Sequence, residues 1–234
     1  MKRTYLDSFI SKYHLGGLIS NTIWKIKDNT LSTTFTTDGK EMLGTVKFND
    51  FTEPDAELGI IDTERLLRML SVLNGDCNLE YQKVDERIVS VMMKDSNAEV
   101  KFTLGDLSVF PHQSSLKQIP DFEAVIEVSK ESASSFVTGC NAISESNHFT
   151  IVGNEFIINY DKTKNVDMIR VPVKVVSGTE TEEKSFSSEH MSKIISANKD
   201  ADSISVSVSN AGLMRCVFSS KDYSSEYYLV ALDK

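Results

Sequence analysis

The chain has 234 residues, a formal net charge of −9 and 40% apolar residues, a composition typical of soluble globular proteins. Its length permits one large domain or two small ones. No apolar run approaches the ~20 residues that a membrane-spanning helix needs, and we expect no secretory leader at the amino terminus. Three separated cysteines without a C-x-x-C motif favour a reducing cytoplasm, and the four histidines lack metal-ligand spacing.

Four segments share the spacing of an amphipathic helix. Counted from Asp62, Ser129 and Ser187, apolar residues recur at positions +4, +7 and +8, which places them in one stripe of a helix. The Asp or Ser is a predicted N-cap, and the Glu two residues later suits the positive start of a helix. A weaker copy begins at Lys2, and Gly75 is the predicted stop of the second helix. We predict helices over residues 2–13, 62–74, 129–141 and 187–199.

Alternating apolar and polar residues between these helices indicate strands. The alternation is clearest over 204–208, and hairpin turns are predicted at Asp38-Gly39 and at Asn210-Ala211-Gly212. Further strands are predicted over 23–26, 31–35, 87–93, 100–104 and 227–232. Each quarter of the chain therefore holds one short helix and several antiparallel strands. The predicted fold class is α+β, with two similar domains that each pack two helices on antiparallel sheets.

A stretch with proline separates the two similar halves. Residues 110–121 contain two of the four prolines and show no helical period. If extended, such a stretch spans up to about 40 Å, enough to cross the face of a small domain. We predict an N-terminal domain over 1–110, an interdomain connector over 111–121 and a C-terminal domain over 122–234.

Basic residues are concentrated in the predicted helices. The helices hold eight basic and five acidic residues, a net charge of +3, whereas the other 17 basic and 29 acidic residues sum to −12. Arg65 and Arg68 lie away from the apolar stripe, at offsets that His190 and Lys193 share on the fourth helix. Two interpretations remain open: these faces are ordinary solvated surfaces, or they hold a polyanion that the acidic remainder repels.

Motifs of enzyme chemistry are absent from the sequence. The segment Asp38-Gly39-Lys40-Glu41 lacks the upstream glycine and the hydroxyl residue of a phosphate-binding loop, and neither G-x-S-x-G nor H-E-x-x-H occurs. Cys140, with His148 nearby in sequence, is a candidate nucleophile, but neighbours in sequence need not be partners in space, and the sequence favours a cysteine packed at a helix end. We expect a protein that is not an enzyme and that uses no cofactor or metal.

The order of these elements resembles a DNA sliding clamp, in which helix-and-sheet units occur two to a domain and a long connector joins the domains. The segment Gly59-Ile60-Ile61-Asp62, with 66–76 after it, is similar to the strand, second helix and helix stop of clamps from T-even-type bacteriophages. Residues 225–232, Ser-Glu-Tyr-Tyr-Leu-Val-Ala-Leu, resemble their last strand. The chain thus resembles a DNA polymerase processivity factor of the PCNA-like clamp superfamily.

This resemblance implies a head-to-tail homotrimer, a closed ring that encircles duplex DNA without regard to its sequence. Such a ring tethers a DNA polymerase, and a separate ATP-dependent clamp loader places it on DNA. Clamps of this phage group also assist late-gene transcription, and a phage-encoded chain would work in the host cytoplasm. The resemblance implies eight DNA-facing candidates: Lys2, Arg3, Lys12, Arg65, Arg68, Lys130, Lys193 and Lys199.

The resemblance also implies a pocket for partner peptides beside the connector and the final strand. Our candidates for its wall, which would otherwise pack the domain junction, are Phe110, Leu116, Ile119, Tyr228 and Val230. Head-to-tail assembly would pair edge strands of neighbouring chains, and we expect these edges at Glu99–Leu107 and at Asp167–Val176.

Two features depart from the family pattern. Only Asp233-Lys234 follow the last predicted strand, whereas relatives often carry a longer acidic tail, and Lys130 is the single basic residue of the third helix. Two alternative functions remain open. One is a two-domain protein-interaction module that does not encircle DNA, and the other is a small-molecule enzyme that uses Cys140.

Overall fold

The chain folds as two compact units, which the computed structural model describes over residues 3–110, 116, 118–178 and 182–232. The first unit comprises 1–36 and 45–114, and the second comprises 37–44 and 115–234. Residues 111–115 and 117 of the predicted connector lie outside the described residues. The predicted domain and connector limits therefore stay predictions.

The first unit contains two helices and two antiparallel sheets. The helices are α1 (Arg3–His14) and α2 (Thr63–Leu70), and a 3₁₀ turn follows α1 at Leu15–Gly17. The strands are β1 (Thr22–Lys27), β2 (Thr30–Thr36), β3 (Met42–Phe48, of which 45–48 belong to this unit), β4 (Ala56–Ile60), β5 (Asn78–Val84), β6 (Arg87–Lys94) and β7 (Glu99–Thr103). The strand order is β3-β2-β1-β4 in one sheet and β5-β6-β7 in the other.

Aromatic side chains join α1 to the first of these sheets. The ring of Phe9 meets the rings of Trp24 and Phe48 edge-on, each at a centroid distance of 5.4 Å. Side chains alternate between the two faces of a strand, so Lys27 and Lys47 lie on the opposite face of this sheet, where both are exposed. The helix side of the sheet is therefore apolar, and the other side carries charge.

The second unit repeats this arrangement. Its helices are α3 (Lys130–Ala142) and α4 (Ser188–Ala197). Its strands are β8 (Ala124–Glu127), β9 (His148–Val152), β10 (Glu155–Ile158), β11 (Ile169–Pro172), β12 (Lys174–Gly178), β13 (Lys184–Ser187), β14 (Ser203–Val208), β15 (Leu213–Ser219) and β16 (Tyr223–Val230). They form the sheets β12-β8-β14-β15-β16 and β11-β10-β9-β13. Phe136 of α3 packs against Phe149, with ring centroids 4.9 Å apart.

The predicted N-caps are confirmed. The side chains of Asp62, Ser129 and Ser187 each accept a hydrogen bond from the backbone N–H three residues later. A side-chain oxygen at this position satisfies one of the orphan donors of the first helical turn. Three of the four helices thus begin where a short polar residue precedes the apolar stripe.

The end of α2 differs from the prediction, because the helix stops at Leu70 rather than near Gly75. Beyond Leu70 the backbone tightens, and the N–H of Leu73 turns back to the Leu70 carbonyl at 3.0 Å. The carboxylate of Asp95 accepts the N–H of Asn74 at 2.6 Å and those of Asn97 and Ala98 at 2.7 Å. These bonds, led by that of Asn74, lower the pKa of Asp95 and hold the chain in a turn instead of a further helical turn.

Asn198 fixes the end of α4 to β16. It is fully buried, and its Nδ2 donates to the Ile194 carbonyl at 2.8 Å and to the Tyr227 hydroxyl at 2.9 Å. Its Oδ1 accepts the Ser225 hydroxyl at 2.6 Å. A buried polar network of this kind is costly to break, since each removed partner leaves a desolvated group behind.

We expect Asn198→Ala to lower the free energy of unfolding by about 1–3 kcal/mol, because the Ser225 and Tyr227 hydroxyls lose a buried partner. Urea denaturation followed by circular dichroism measures the change. Asn141→Ala, at an exposed asparagine in the last turn of α3, is the matched control and should change stability by less than about 0.5 kcal/mol. Equal effects of the two substitutions would contradict the bridging role of Asn198.

Candidate nucleic-acid interface

Each helix buries one stripe and exposes the opposite face. On α2, Leu66 and Leu70 are buried, whereas Arg65 and Arg68 are exposed. This division follows from the period of 3.6 residues, which separates the apolar positions from the charged ones. A predicted DNA-facing residue must therefore lie on one of these exposed helix faces.

Of the eight DNA-facing candidates, one lies outside the described residues and another is buried. Lys2 lies outside the described residues. Lys12 is 1% exposed, with its Nζ 3.1 Å from the Ser8 hydroxyl and 5.8 Å from the centroid of the Phe48 ring. A DNA-facing role for Lys12 is therefore wrong, because the side chain turns towards the sheet and its ammonium group lies over an aromatic ring.

Three further candidates are held in contacts within the chain. Arg3 donates from Nη1 to the Leu73 carbonyl at 2.7 Å, and its Nε lies 3.0 Å from the Asp7 carboxylate. Arg68 and Lys193 each pair with a glutamate one turn earlier on the same helix. The distances are 3.2 Å from Arg68 to Glu64 and 2.7 Å from Lys193 to Glu189.

The remaining candidates, Arg65, Lys130 and Lys199, are exposed. Within the described part of the chain none of the three forms an ion pair within 4.0 Å. Their charges thus remain available to an external anion. They occur on α2, on α3 and just after α4, so both units contribute.

His190 does not act as a counterpart of Arg65, although the two residues share an offset on their helices. The imidazole is half-buried, and burial lowers its pKa. Its Nδ1 is buried and has no hydrogen-bond partner among the described residues. Its neutral form is therefore favoured, and this position adds no positive charge at neutral pH.

The pairing of cations with carboxylates was not predicted from the sequence. Glu64 and Glu189 were interpreted as residues of the helix start, where they do favour the helix dipole. A signal was nevertheless present, because an acid four residues before a base is the spacing of a helical ion pair. The two interpretations are compatible, since the same carboxylate lies at the helix start and reaches the next turn.

The candidate partner surface includes the outer face of β16. Tyr228 and Val230 lie opposite Arg215 and Leu213 of β15. Val230 is 49% exposed, whereas Tyr228 is buried and donates its hydroxyl to Glu226 at 2.8 Å. Glu226 also pairs with Arg215. The Tyr228 ring is thus fixed at one end by a charged pair that the sequence analysis did not identify.

The other three candidates for this surface have different environments. Phe110 packs over Gly59 and Gly105 in the first unit, where an added Cβ would lie 2.6 Å and 3.0 Å from its ring. Ile119 is 51% exposed, and Leu116 is half-buried. Phe110 therefore has a packing role of its own, and the grouping of all five residues into one pocket wall stays a prediction.

Strands β7 and β12 each lie at the end of a sheet. β7 falls within the segment Glu99–Leu107, and β12 overlaps the end of the segment Asp167–Val176; both segments were predicted as edges. An edge strand offers backbone N–H and C=O groups to another strand. The pairing of these edges between neighbouring chains stays a prediction.

The surroundings of Cys140 oppose its role as a nucleophile. Burial raises the pKa of its thiol to about 12, whereas reactive cysteines have a lowered pKa. The ring of His148 is engaged elsewhere, with Nε2 3.1 Å from the Tyr160 carbonyl oxygen and Nδ1 3.2 Å from the Asn147 side-chain oxygen. The thiol is therefore that of a packed helix-end cysteine.

The described residues also lack two other features. They contain no group of three or more His, Cys, Asp or Glu side chains arranged to hold a metal ion. None of the helices in these ranges combines the length and the apolar character needed to cross a membrane.

We expect the folded protein to react slowly with a thiol reagent at pH 8, because burial raises the pKa of Cys140 and Cys216 to about 12 and also raises that of Cys77. Absorbance after addition of Ellman's reagent measures the rate. The same protein unfolded in guanidinium is the control, and all three cysteines of the sequence should then react at once. Rapid, selective labelling of Cys140 in the folded protein would support the enzyme alternative instead.

The sequence matches no model of a protein family, and none of the curated proteins is significantly similar to it. The structure, in contrast, is similar to solved structures over its whole length. Proliferating cellular nuclear antigen (PCNA) from Entamoeba histolytica has a TM-score of 0.77 at 17% identity, covering 99% of this chain and 96% of that chain. The PCNA of A. fulgidus, bound to the C-terminal region of FEN-1, has a TM-score of 0.78 at 16% identity, covering 100% and 97%. The predicted fold class is confirmed: this chain has the clamp fold of PCNA.

Proposed function

We propose that this chain is a sliding clamp, a protein without catalytic activity that tethers a DNA polymerase to its template. The observation that carries the proposal is the similarity to two PCNA structures over 99% and 100% of the chain. A match of that extent includes both units and their four helices, rather than one common motif.

The distribution of charge supports encirclement of duplex DNA. A topological link needs no tight phosphate contacts, so a few exposed cations suffice to keep a ring around DNA while it slides. The four segments predicted as helices carry a net charge of +3, whereas the rest of the chain sums to −12. Because phosphate binding is driven by Lys and Arg, an acidic remainder discourages DNA from binding outside the ring.

Edge strands support assembly into a homotrimer. In our proposal β7 of one chain pairs with β12 of the next, a heterologous contact that closes into a ring by rotation. Twelve helices would then surround the hole. Since the sequence has no phosphate-binding loop, a separate ATP-dependent clamp loader would open and place the ring.

Partner proteins would bind through short apolar peptides. One of the similar structures contains PCNA with the C-terminal region of FEN-1, and we extend this mode of binding to the present chain. Ile119 and Val230 offer half-exposed apolar side chains for it. An origin in a T-even-type phage, action in the host cytoplasm and a role in late transcription belong to the same proposal.

The double substitution Arg65→Glu and Arg68→Glu should weaken the binding of duplex DNA by about tenfold at low ionic strength, because it reverses two charges on the exposed face of α2. The loss should shrink as salt is added. Fluorescence anisotropy of a labelled duplex measures binding, and primer extension by the cognate polymerase and loader measures processivity.

Lys27→Glu with Lys47→Glu is the matched control, because it makes the same charge change on the sheet face opposite α1. This control should bind DNA far better than the α2 variant. Equal losses in the two variants would contradict a DNA-facing α2 and would indicate an effect of net charge alone.

A further inference from the structure

Three of the four helices pair a cation with a carboxylate one turn away. The helix ion pairs are Arg3–Asp7 at 3.0 Å, Glu64–Arg68 at 3.2 Å and Glu189–Lys193 at 2.7 Å. Each joins residues i and i+4, the spacing at which helical side chains meet. These pairs involve three of the basic residues that we propose as DNA-facing.

The carboxylates of the second and third pairs are accessible to solvent. The side chain of Glu64 is 70% exposed and that of Glu189 is 63% exposed. Lys193 donates a hydrogen bond to Glu189 at 2.7 Å and thereby lowers the pKa of that carboxylate, so Glu189 is ionised at neutral pH. Exposed pairs of this kind contribute little to stability, and their effect on an approaching anion is the more important one.

A phosphate that approaches Arg68 or Lys193 meets a carboxylate already bound there. The phosphate either displaces that carboxylate or is repelled by it. In both cases the favourable binding free energy of the contact between cation and phosphate is reduced. When the phosphate leaves, the cation returns to its partner on the same helix rather than to water alone. The difference in free energy between bound and unbound cations is therefore small, which favours movement from one phosphate to the next.

We infer that Glu64 and Glu189 act as built-in competitors of DNA phosphate, which keep the attraction between the helix faces and the duplex weak enough for sliding. This inference rests on the proposed function, because it assigns a role to carboxylates on the proposed DNA-facing helices. Arg65, Lys130 and Lys199, which form no ion pair in the described ranges, supply the constant part of the attraction. Asp7 is a less suitable test position, since its partner Arg3 also donates to the Leu73 carbonyl.

The test replaces each competing carboxylate by its neutral amide, in Glu64→Gln and in Glu189→Gln. Each variant should bind a labelled duplex about three- to tenfold more tightly than the unaltered protein at low ionic strength. The slope of log K against log salt should steepen by up to about 1 for each cation released to phosphate. Fluorescence anisotropy over a salt series gives both quantities.

Glu57→Gln is the matched control. Glu57 forms an exposed ion pair with Lys25 at 3.6 Å, but it lies on β4 and Lys25 on β1, so its removal changes the net charge equally without freeing a cation on a helix. If Glu57→Gln tightens binding as much as Glu64→Gln does, the effect comes from net charge and the inference is overturned.

A double substitution tests whether the tighter binding depends on the cation that is paired with Glu64. In a protein that carries Arg68→Gln, the substitution Glu64→Gln should no longer tighten binding beyond the control, because the cation that it would release is gone. An undiminished gain in that background would overturn the inference.

The failure of this inference and that of the proposed function are distinguishable. Helix variants that bind no more tightly than Glu57→Gln, in a protein that forms a trimer and binds duplex DNA, would overturn the competitor role and leave the clamp proposal in place. A monomer without measurable DNA binding at any salt concentration would overturn both.

Discussion

Each helix of this protein must bury its apolar stripe against an antiparallel sheet, and the rest of the structure depends on that burial. Phe9 packs against Trp24 and Phe48 in the first unit, and Phe136 packs against Phe149 in the second. Once one side of a helix is committed to the sheet, its charged positions are directed to the other side. The surface proposed to face DNA is thus a consequence of how the cores are filled.

The starts of the helices could be predicted because their signals are local. An N-cap acts on the backbone N–H three residues later, so Asp62, Ser129 and Ser187 mark their helices in the sequence itself. The end of α2 could not be predicted in this way. The turn after Leu70 is held by Asp95, a residue far along the chain, and local sequence contains no sign of that contact.

The environments of the basic residues also depend on contacts that local sequence does not show. The resemblance placed Lys12 among the DNA-facing candidates, but its ammonium group lies over the ring of Phe48 in β3, which no helical pattern includes. His190 matches the offset of Arg65, yet burial favours its neutral form. The pairs at Glu64 and Glu189 were within reach of sequence analysis, since their spacing of four is local. The sequence therefore predicts where charged residues lie better than it predicts which of their charges are available to a ligand.

The central claim is that three chains close into a ring. Light scattering over a dilution series tests it most directly, since it gives the mass in solution without assuming a partner. The account predicts a species near 78.3 kDa, three times the chain mass of 26.1 kDa, which dissociates on dilution if the interface opens easily. A monomer at every concentration would contradict encirclement and would favour a two-domain protein-interaction module with the same fold.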